Sequence, residues 1–90
     1  MSETIHEPSP GQAKREAIAP PGYKWVTNQR LYRFLDVEEA RLQQDFLEKL
    51  SRNNEISLLK AFDHDGNQMP QMEAVYAKPK QVTQIGEISP

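Results

Sequence analysis

The clearest pattern of hydrophobic and polar positions lies in the middle of the chain. Leu42, Phe46 and Leu50 follow one another at four-residue intervals, and glutamate, glutamine, arginine and lysine fill the opposite positions. Apolar residues at this spacing share one face of an α-helix. Asp36 and Glu39 have the spacing of a capping box, which marks the start of a helix. We therefore predict a long amphipathic helix whose apolar stripe is buried in the core.

Two shorter elements are predicted before this helix. Tyr23–Val26 is rich in β-forming residues and predicts a brief strand. Thr27 or Asn28 can cap a short helix that runs through Leu35, because apolar residues recur there one turn apart. The brief strand is expected at the edge of a sheet, where Trp25 would be only half covered.

After the long helix, the pattern changes to that of a β-hairpin. Apolar and polar residues alternate in part over residues 56–62, which predicts a strand, although the leucine, lysine and alanine residues of this segment also suit a short helix. Asp65–Gly66 is a dipeptide typical of hairpin turns. The partner strand is then residues 69–77, so we predict a C-terminal hairpin and leave the alternative for residues 56–62 open.

The pairing of the two hairpin strands can be predicted from their apolar positions. The register that brings most apolar residues together places Ile56 opposite Val75 and Phe62 opposite Met69. Pro70 has no amide hydrogen to donate, so its strand is expected at the edge of the sheet.

Together these elements predict the α+β fold class: a short strand, two helices, of which the second is long and amphipathic, and a C-terminal β-hairpin. The small domain is expected to span residues 23–77. Residues 1–22 contain four of the seven prolines, and we expect a disordered proline-rich tail, because so few apolar residues cannot offset an ordering cost of about 1–2 kcal/mol per residue. Residues 78–90 are expected to be a flexible C-terminal tail. Three apolar residues there could form a short strand or a docking segment: Val82, Ile85 and Ile88.

Composition limits the class of partner. The chain has 11 basic and 13 acidic residues and a net charge of −2, without the basic excess of proteins held to nucleic acid by phosphate contacts. It has no cysteine, which excludes disulfides, zinc–thiolate sites and thiol nucleophiles. No apolar run resembles a signal peptide or approaches the ~20 residues of a membrane-spanning helix. We expect a cytoplasmic protein without membrane contact.

One short segment raises the question of a calcium site. Asp63, Asp65 and Asn67 resemble the first three ligand positions of an EF-hand loop. The resemblance then fails, because Gln68 stands where that family needs glycine and Ala74 stands where a glutamate completes the ligand shell. We therefore expect a hairpin turn and no cofactor, with a degenerate cation site as the alternative.

No arrangement of catalytic residues is evident in the sequence. His6 and His64 are its two histidines, and neither has a neighbouring nucleophile in a recognisable motif. A domain of this size also has little room for a substrate pocket. We expect that the protein is not an enzyme.

The preferred function is that of a small regulatory or accessory protein that acts through protein–protein contacts, with another protein or a second copy as its partner. A domain this small buries only ~60% of its unfolded surface, so some aromatic residues should remain partly exposed. Five residues of the types that anchor interfaces cluster in one short segment. They are Tyr23, Trp25, Arg30, Tyr32 and Arg33. The alternative is that the aromatic residues build the core and the arginines solvate it.

The alternative function is that of a winged helix-turn-helix DNA-binding regulator. The two predicted helices and the hairpin resemble, in outline, small excisionase-like and MerR-like DNA-binding domains. The resemblance implies that the second helix offers Arg41, Gln43 and Gln44 to a DNA groove. The same helix would present several carboxylates to the phosphates, which is repulsive. Nucleic acid is therefore the less favoured partner.

Overall fold

The computed structural model describes residues 8–80 and shows an α+β domain, the predicted fold class. Its three strands form one antiparallel sheet in the order β1–β3–β2. No helix within the described residues is long and apolar enough to cross a membrane. The elements are α1 (Pro10–Ile18), β1 (Lys24–Arg30), a 3-10 turn (Tyr32–Phe34), α2 (Val37–Ser51), β2 (Asn54–Phe62) and β3 (Gln68–Pro79).

The long helix and the hairpin form where the sequence predicts them. The Glu39 amide donates to the Asp36 carboxylate over 2.7 Å, and the Asp36 amide donates back to the Glu39 side chain over 3.2 Å. This reciprocal pair is the predicted capping box at the start of α2. Residues 56–62 belong to β2, so the strand is the correct alternative for that segment.

The helix predicted between Thr27 and Leu35 is wrong. Residues 24–30 form a single strand that pairs with β3, from Lys24 opposite Ala77 to Arg30 opposite Met72. Only the 3-10 turn remains of the predicted helix. Two leucines one turn apart are a weak helical signal, and a short helix is marginal by itself, whereas pairing with β3 satisfies the backbone along the whole segment.

Helix α1 occupies part of the segment that was expected to be disordered. Ser9 caps it by accepting a hydrogen bond from the Gln12 amide over 3.1 Å, and Pro10 stands in the first turn, where no amide donor is needed. The helix packs on the sheet, and the Tyr76 hydroxyl donates to the Arg15 carbonyl over 2.8 Å. Composition alone misses this helix because its packing partner lies far away in the sequence.

The folded domain therefore extends beyond the predicted boundaries at both ends. It includes α1 before residue 23 and continues in β3 through Pro79, past residue 77. The rest of the two predicted tails, residues 1–7 and 81–90, lies outside the described residues. The docking segment suggested for Val82, Ile85 and Ile88 lies there too.

Strand β3 is the central strand of the sheet, and the predicted edge position is wrong. Pro70 is tolerated because the register between β2 and β3 shifts near it, so that it has no partner in either ladder. The predicted register is wrong by one position next to the turn, where Phe62 lies opposite Gln68 instead of Met69, and the irregularity then places Ile56 opposite Ala77 instead of Val75. A register read from apolar pairs alone cannot include such a bulge.

The compact core lies between α1 and the sheet. Ala61, Ala74 and Tyr76 are fully buried there. Partly buried apolar residues surround them: Ala19, Tyr23, Leu59, Met69 and Met72. Because side chains alternate along a strand, Val75 and Ala77 face the other side of the sheet, together with their partners on β2.

Helix α2 lies on that other side and is less covered than predicted. No residue of α2 is buried. Leu42 is 61% exposed and Phe46 is 40% exposed, so the prediction that their stripe forms the core is wrong. Val75 and Ala77 are buried on this face of β3, whereas the large aromatic residue of the strand, Tyr76, lies on the α1 side.

Candidate functional site

A cleft of about 490 Å³ separates α1 from the first half of β1. We call it the α1–β1 cleft. Helix α1 and its C-cap form one wall, the start of β1 forms the other, and one tyrosine of β3 reaches it from the sheet. Its lining residues are Gln12, Arg15, Glu16, Ala19, Tyr23, Lys24, Trp25 and Tyr76.

A tight turn after α1 returns the chain to the sheet and so creates the cleft. The Tyr23 amide donates to the Pro20 carbonyl over 3.0 Å, and Gly22 has a φ of +84°. Proline at the second position and a glycine with positive φ at the third are typical of a type II turn. The sequence Pro20–Tyr23 thus contains a turn signal that a purely compositional reading treats as linker.

The other end of α1 is fixed to the β2–β3 turn. The Gly11 amide donates to the His64 carbonyl over 3.1 Å, and the Lys14 ammonium donates to the Gly66 carbonyl over 2.7 Å. A side chain at Gly11 would overlap the Asp63 carbonyl oxygen. Glycine is therefore required for this close approach, and both ends of the helix hold the cleft wall in place.

Arg15 on α1 and Trp25 on β1 both line the cleft and contact each other. The Arg15 guanidinium lies 4.0 Å from the centroid of the Trp25 ring, within cation–π distance. The indole N–H donates to Asn28 Oδ1 over 3.0 Å, which fixes the orientation of the ring. Trp25 is still 37% exposed, so part of its aromatic face can contact another molecule. This half-covered tryptophan on an edge strand agrees with the sequence analysis.

Two tyrosine hydroxyls beside the cleft act as hydrogen-bond donors. Tyr23 donates to Glu55 Oε1 over 3.3 Å, and desolvation together with the Glu55 charge raises the pKa of Tyr23. Burial raises the pKa of Tyr76, and the nearby Arg15 opposes this effect. Each hydroxyl hydrogen is thus already used within the domain, and Tyr76 is fully buried. Of the two tyrosines, only the partly buried Tyr23 can therefore offer its ring to a bound molecule.

The five residues that are predicted to contact a partner lie in two separate parts of the structure. Tyr23 and Trp25 line the cleft. The other three lie elsewhere. Arg30 is five residues beyond Trp25, about 16 Å along the strand at 3.3 Å per residue, and Tyr32 and Arg33 belong to the 3-10 turn. Arg30 ends β1, Tyr32 is 61% exposed, and the Arg33 guanidinium lies 5.0 Å from the Phe34 ring centroid.

The partner-binding prediction includes only Tyr23 and Trp25 of the eight residues that line the cleft. It omits Arg15, which lies in the segment expected to be disordered, and Tyr76, which lies in the predicted strand 69–77. The Ser9–Pro10 helix start and the Pro20–Tyr23 turn, which together bound a short helix, are the signals that could have found Arg15.

The residues proposed for DNA contact all lie on α2. Arg41 pairs with Glu38 at 3.6 Å on the exposed surface, and Gln43 and Gln44 follow in the same turn. A helix-turn-helix needs a first helix directly before this one. Strand β1 and the 3-10 turn occupy that part of the chain.

The segment that resembles a calcium loop forms the predicted hairpin turn. One oxygen of the Asp63 carboxylate accepts hydrogen bonds from the amides of Asp65 and Asn67, both over 2.9 Å. Gly66 has a φ of +89°, which favours glycine. Within residues 8–80 there is no group of three or more histidine, cysteine, aspartate or glutamate side chains that could hold a metal ion.

Comparisons with known proteins give this chain no relative. No protein-family model, no curated protein and no solved structure matches it. The function of the α1–β1 cleft is therefore inferred from its geometry and chemistry.

Proposed function

We propose that this chain is a small, non-catalytic regulatory or accessory protein that acts through protein–protein contacts, and that the α1–β1 cleft binds a peptide segment of its partner. The observation that carries the proposal is the Trp25 ring, stacked against Arg15 and 37% exposed in the cleft. Tryptophan, tyrosine and arginine are the residue types that contribute most to binding at interfaces.

The lining of the cleft indicates the chemistry of the segment. Tyr23 and Trp25 offer aromatic surface to an apolar side chain. Arg15 and Lys24 supply two positive charges against the single negative charge of Glu16. A guanidinium forms its strongest hydrogen bonds with carboxylates. The best-fitting ligand is therefore a peptide that carries an acidic residue next to an aromatic or aliphatic one.

The winged helix-turn-helix alternative receives no comparable support. The first helix of that motif is replaced by β1, and Arg41 is engaged with Glu38 on the surface of α2. A sequence-specific complex with DNA near physiological salt, tighter than about 10⁻⁸ M, would nevertheless establish it.

Selection from a random peptide library displayed on phage, with the purified full chain as bait, tests the cleft. We expect selected peptides to combine an acidic residue with an aromatic or aliphatic one. Trp25 is the only tryptophan in the chain, so titration with a selected peptide should shift its fluorescence directly. Raising the salt concentration should weaken binding, because part of the attraction is electrostatic.

Two variants and a matched control locate the binding site. Trp25→Ala and Arg15→Ala should lower the affinity for a fluorescently labelled peptide by about tenfold or more, a loss of about 1.4 kcal/mol. Tyr32→Ala removes an exposed aromatic residue at the other end of β1 and should bind like the wild type. Circular dichroism verifies that each variant is folded. Wild-type affinity in both cleft variants would exclude the cleft, and a loss confined to Tyr32→Ala would move the site to the far end of β1.

A further inference from the structure

Strand β2 is an edge strand whose outer side has no partner within the described residues. It pairs with β3 on one side only. From Asn54 to Lys60 the register runs without a shift, and this stretch contains no proline. The other edge strand, β1, has an irregularity between Trp25 and Thr27. Bulges, prolines and charged side chains protect sheet edges from pairing. This part of β2 has no bulge and no proline, and its charged residues are Glu55 and Lys60.

An apolar groove lies directly beside this edge, between α2 and β2. We call it the α2–β2 groove, and its volume is about 600 Å³. Ile56 and Leu58 form its floor on one face of the strand, and Leu58 is 45% exposed. The helix side is formed by Gln44, Leu47, Glu48 and Ser51. The free edge therefore continues into an apolar surface at Ile56 and Leu58, which Lys60 follows on the same face of β2.

Two residues of opposite charge near the groove, Lys60 and Glu48, can pair between two copies of the chain that are related by a two-fold axis. Lys60 lies on the same face as Leu58, and neither Lys60 nor Glu48 forms a salt bridge within the described residues. If two β2 strands pair antiparallel around Leu58, Lys60 of one protomer lies opposite Ile56 of the other. It then reaches the groove that Glu48 lines, and the symmetry repeats this contact.

We propose that two copies of this chain associate through β2, antiparallel around a two-fold axis at Leu58, and form one continuous six-stranded sheet. The pairing satisfies the outer backbone groups of both strands. It covers Leu58 and the two grooves, and it joins Lys60 of each protomer to Glu48 of its partner. This surface is separate from the α1–β1 cleft, so either proposal can fail without the other.

Analytical ultracentrifugation of the full chain, from micromolar to millimolar concentration, tests the dimer. We expect a reversible monomer–dimer equilibrium. Lys60→Glu places two acidic side chains together at each contact, and Glu48→Lys places two basic ones together. Each single variant should raise the dimer dissociation constant about tenfold or more. The double variant restores opposite charges across the axis and should recover the wild-type constant.

One charged neighbour requires a control. Glu73 lies opposite Lys60 within the same protomer, so Lys60→Glu also changes an intramolecular contact. The melting temperature at low concentration, where the chain is monomeric, separates this effect from association. A wild-type chain that remains monomeric throughout would overturn the proposal and leave the groove to another occupant. Single variants that weaken the dimer without recovery in the double variant would overturn the pairing of Lys60 with Glu48.

Discussion

Replacing Gly11 with alanine tests whether α1 belongs to the folded domain. Gly11 is buried, and an added methyl group would overlap the Asp63 carbonyl oxygen. That carbonyl cannot move freely, because it accepts a hydrogen bond from the Gly66 amide over 3.0 Å within the hairpin turn. The helix must therefore shift away from the turn to accommodate the new side chain.

The sign of the stability change distinguishes a docked helix from a free one. In a helix surrounded by solvent, glycine to alanine is stabilising by up to about 1 kcal/mol. In the docked helix, forcing a methyl group into a packed contact costs about 1–3 kcal/mol. The displacement also weakens the bonds from Gly11 to His64 and from Lys14 to Gly66, each worth about 0.5–1.5 kcal/mol. Because the bonds are weakened and not lost, and the higher helix propensity of alanine offsets up to about 1 kcal/mol, we expect a net loss of about 1–3 kcal/mol.

Thermal unfolding followed by circular dichroism measures this change, since each kcal/mol shifts the melting temperature of a small domain by about 4–8 °C. The fluorescence of Trp25 reports on the helix separately, because Arg15 stacks on its ring. Ala17→Ser, on the exposed side of the same helix, is the control and should stay within about 0.5 kcal/mol of the wild type. A Gly11→Ala variant as stable as the wild type, or more stable, would refute the docked arrangement and support the disordered segment expected from composition.

The remaining predictions concern α2 and the hairpin turn. Phe46→Ala should lower the free energy of unfolding by about 1–2 kcal/mol and leave the protein folded. This loss is smaller than the roughly 3–5 kcal/mol of a fully buried phenylalanine, because Phe46 is 40% exposed. A variant that circular dichroism shows to be unfolded would contradict this prediction. Millimolar calcium should change neither the melting temperature nor the amide signals of Asp63–Asn67 in NMR spectra, because the Asp63 carboxylate already accepts two backbone amides. A saturable shift of those signals would show that a cation binds there.

The parts of the fold that could be predicted from sequence are those with strong local causes. The capping box of Asp36 and Glu39 is made by residues three positions apart, so α2 begins where expected. Asp65 and Gly66 lie in the turn between β2 and β3, as predicted, but the turn spans residues 63–67, and the Asp63 carboxylate stabilises it by accepting hydrogen bonds from the amides of Asp65 and Asn67. Neither signal depends on a distant part of the chain.

The parts that could not be predicted depend on distant partners. Helix α1 is stabilised by hydrogen bonds with the Tyr76 hydroxyl and with the hairpin turn. These partners follow the helix in the sequence by more than half of the chain. The length of β1 depends on pairing with β3 in the same way. Of the residues that line the α1–β1 cleft, aromatic character singles out Tyr23 and Trp25 in the sequence. Arg15 could not be found without knowing that its helix packs across the sheet.

The two proposed surfaces are compatible because they lie on opposite edges and opposite faces of the sheet. The α1–β1 cleft is at the β1 edge on the α1 side, and the α2–β2 groove is at the β2 edge on the α2 side. A dimer formed through β2 therefore leaves both clefts open and presents two binding sites for one partner sequence.

Two linked sites bind a surface that carries many copies of a peptide more tightly than either site does alone. At a concentration where the wild type is mostly dimeric and Lys60→Glu mostly monomeric, the variant should thus bind a free peptide like the wild type but dissociate faster from a densely coated surface, as measured by surface plasmon resonance. Equal dissociation rates of the two proteins on that surface would show that the clefts do not act together.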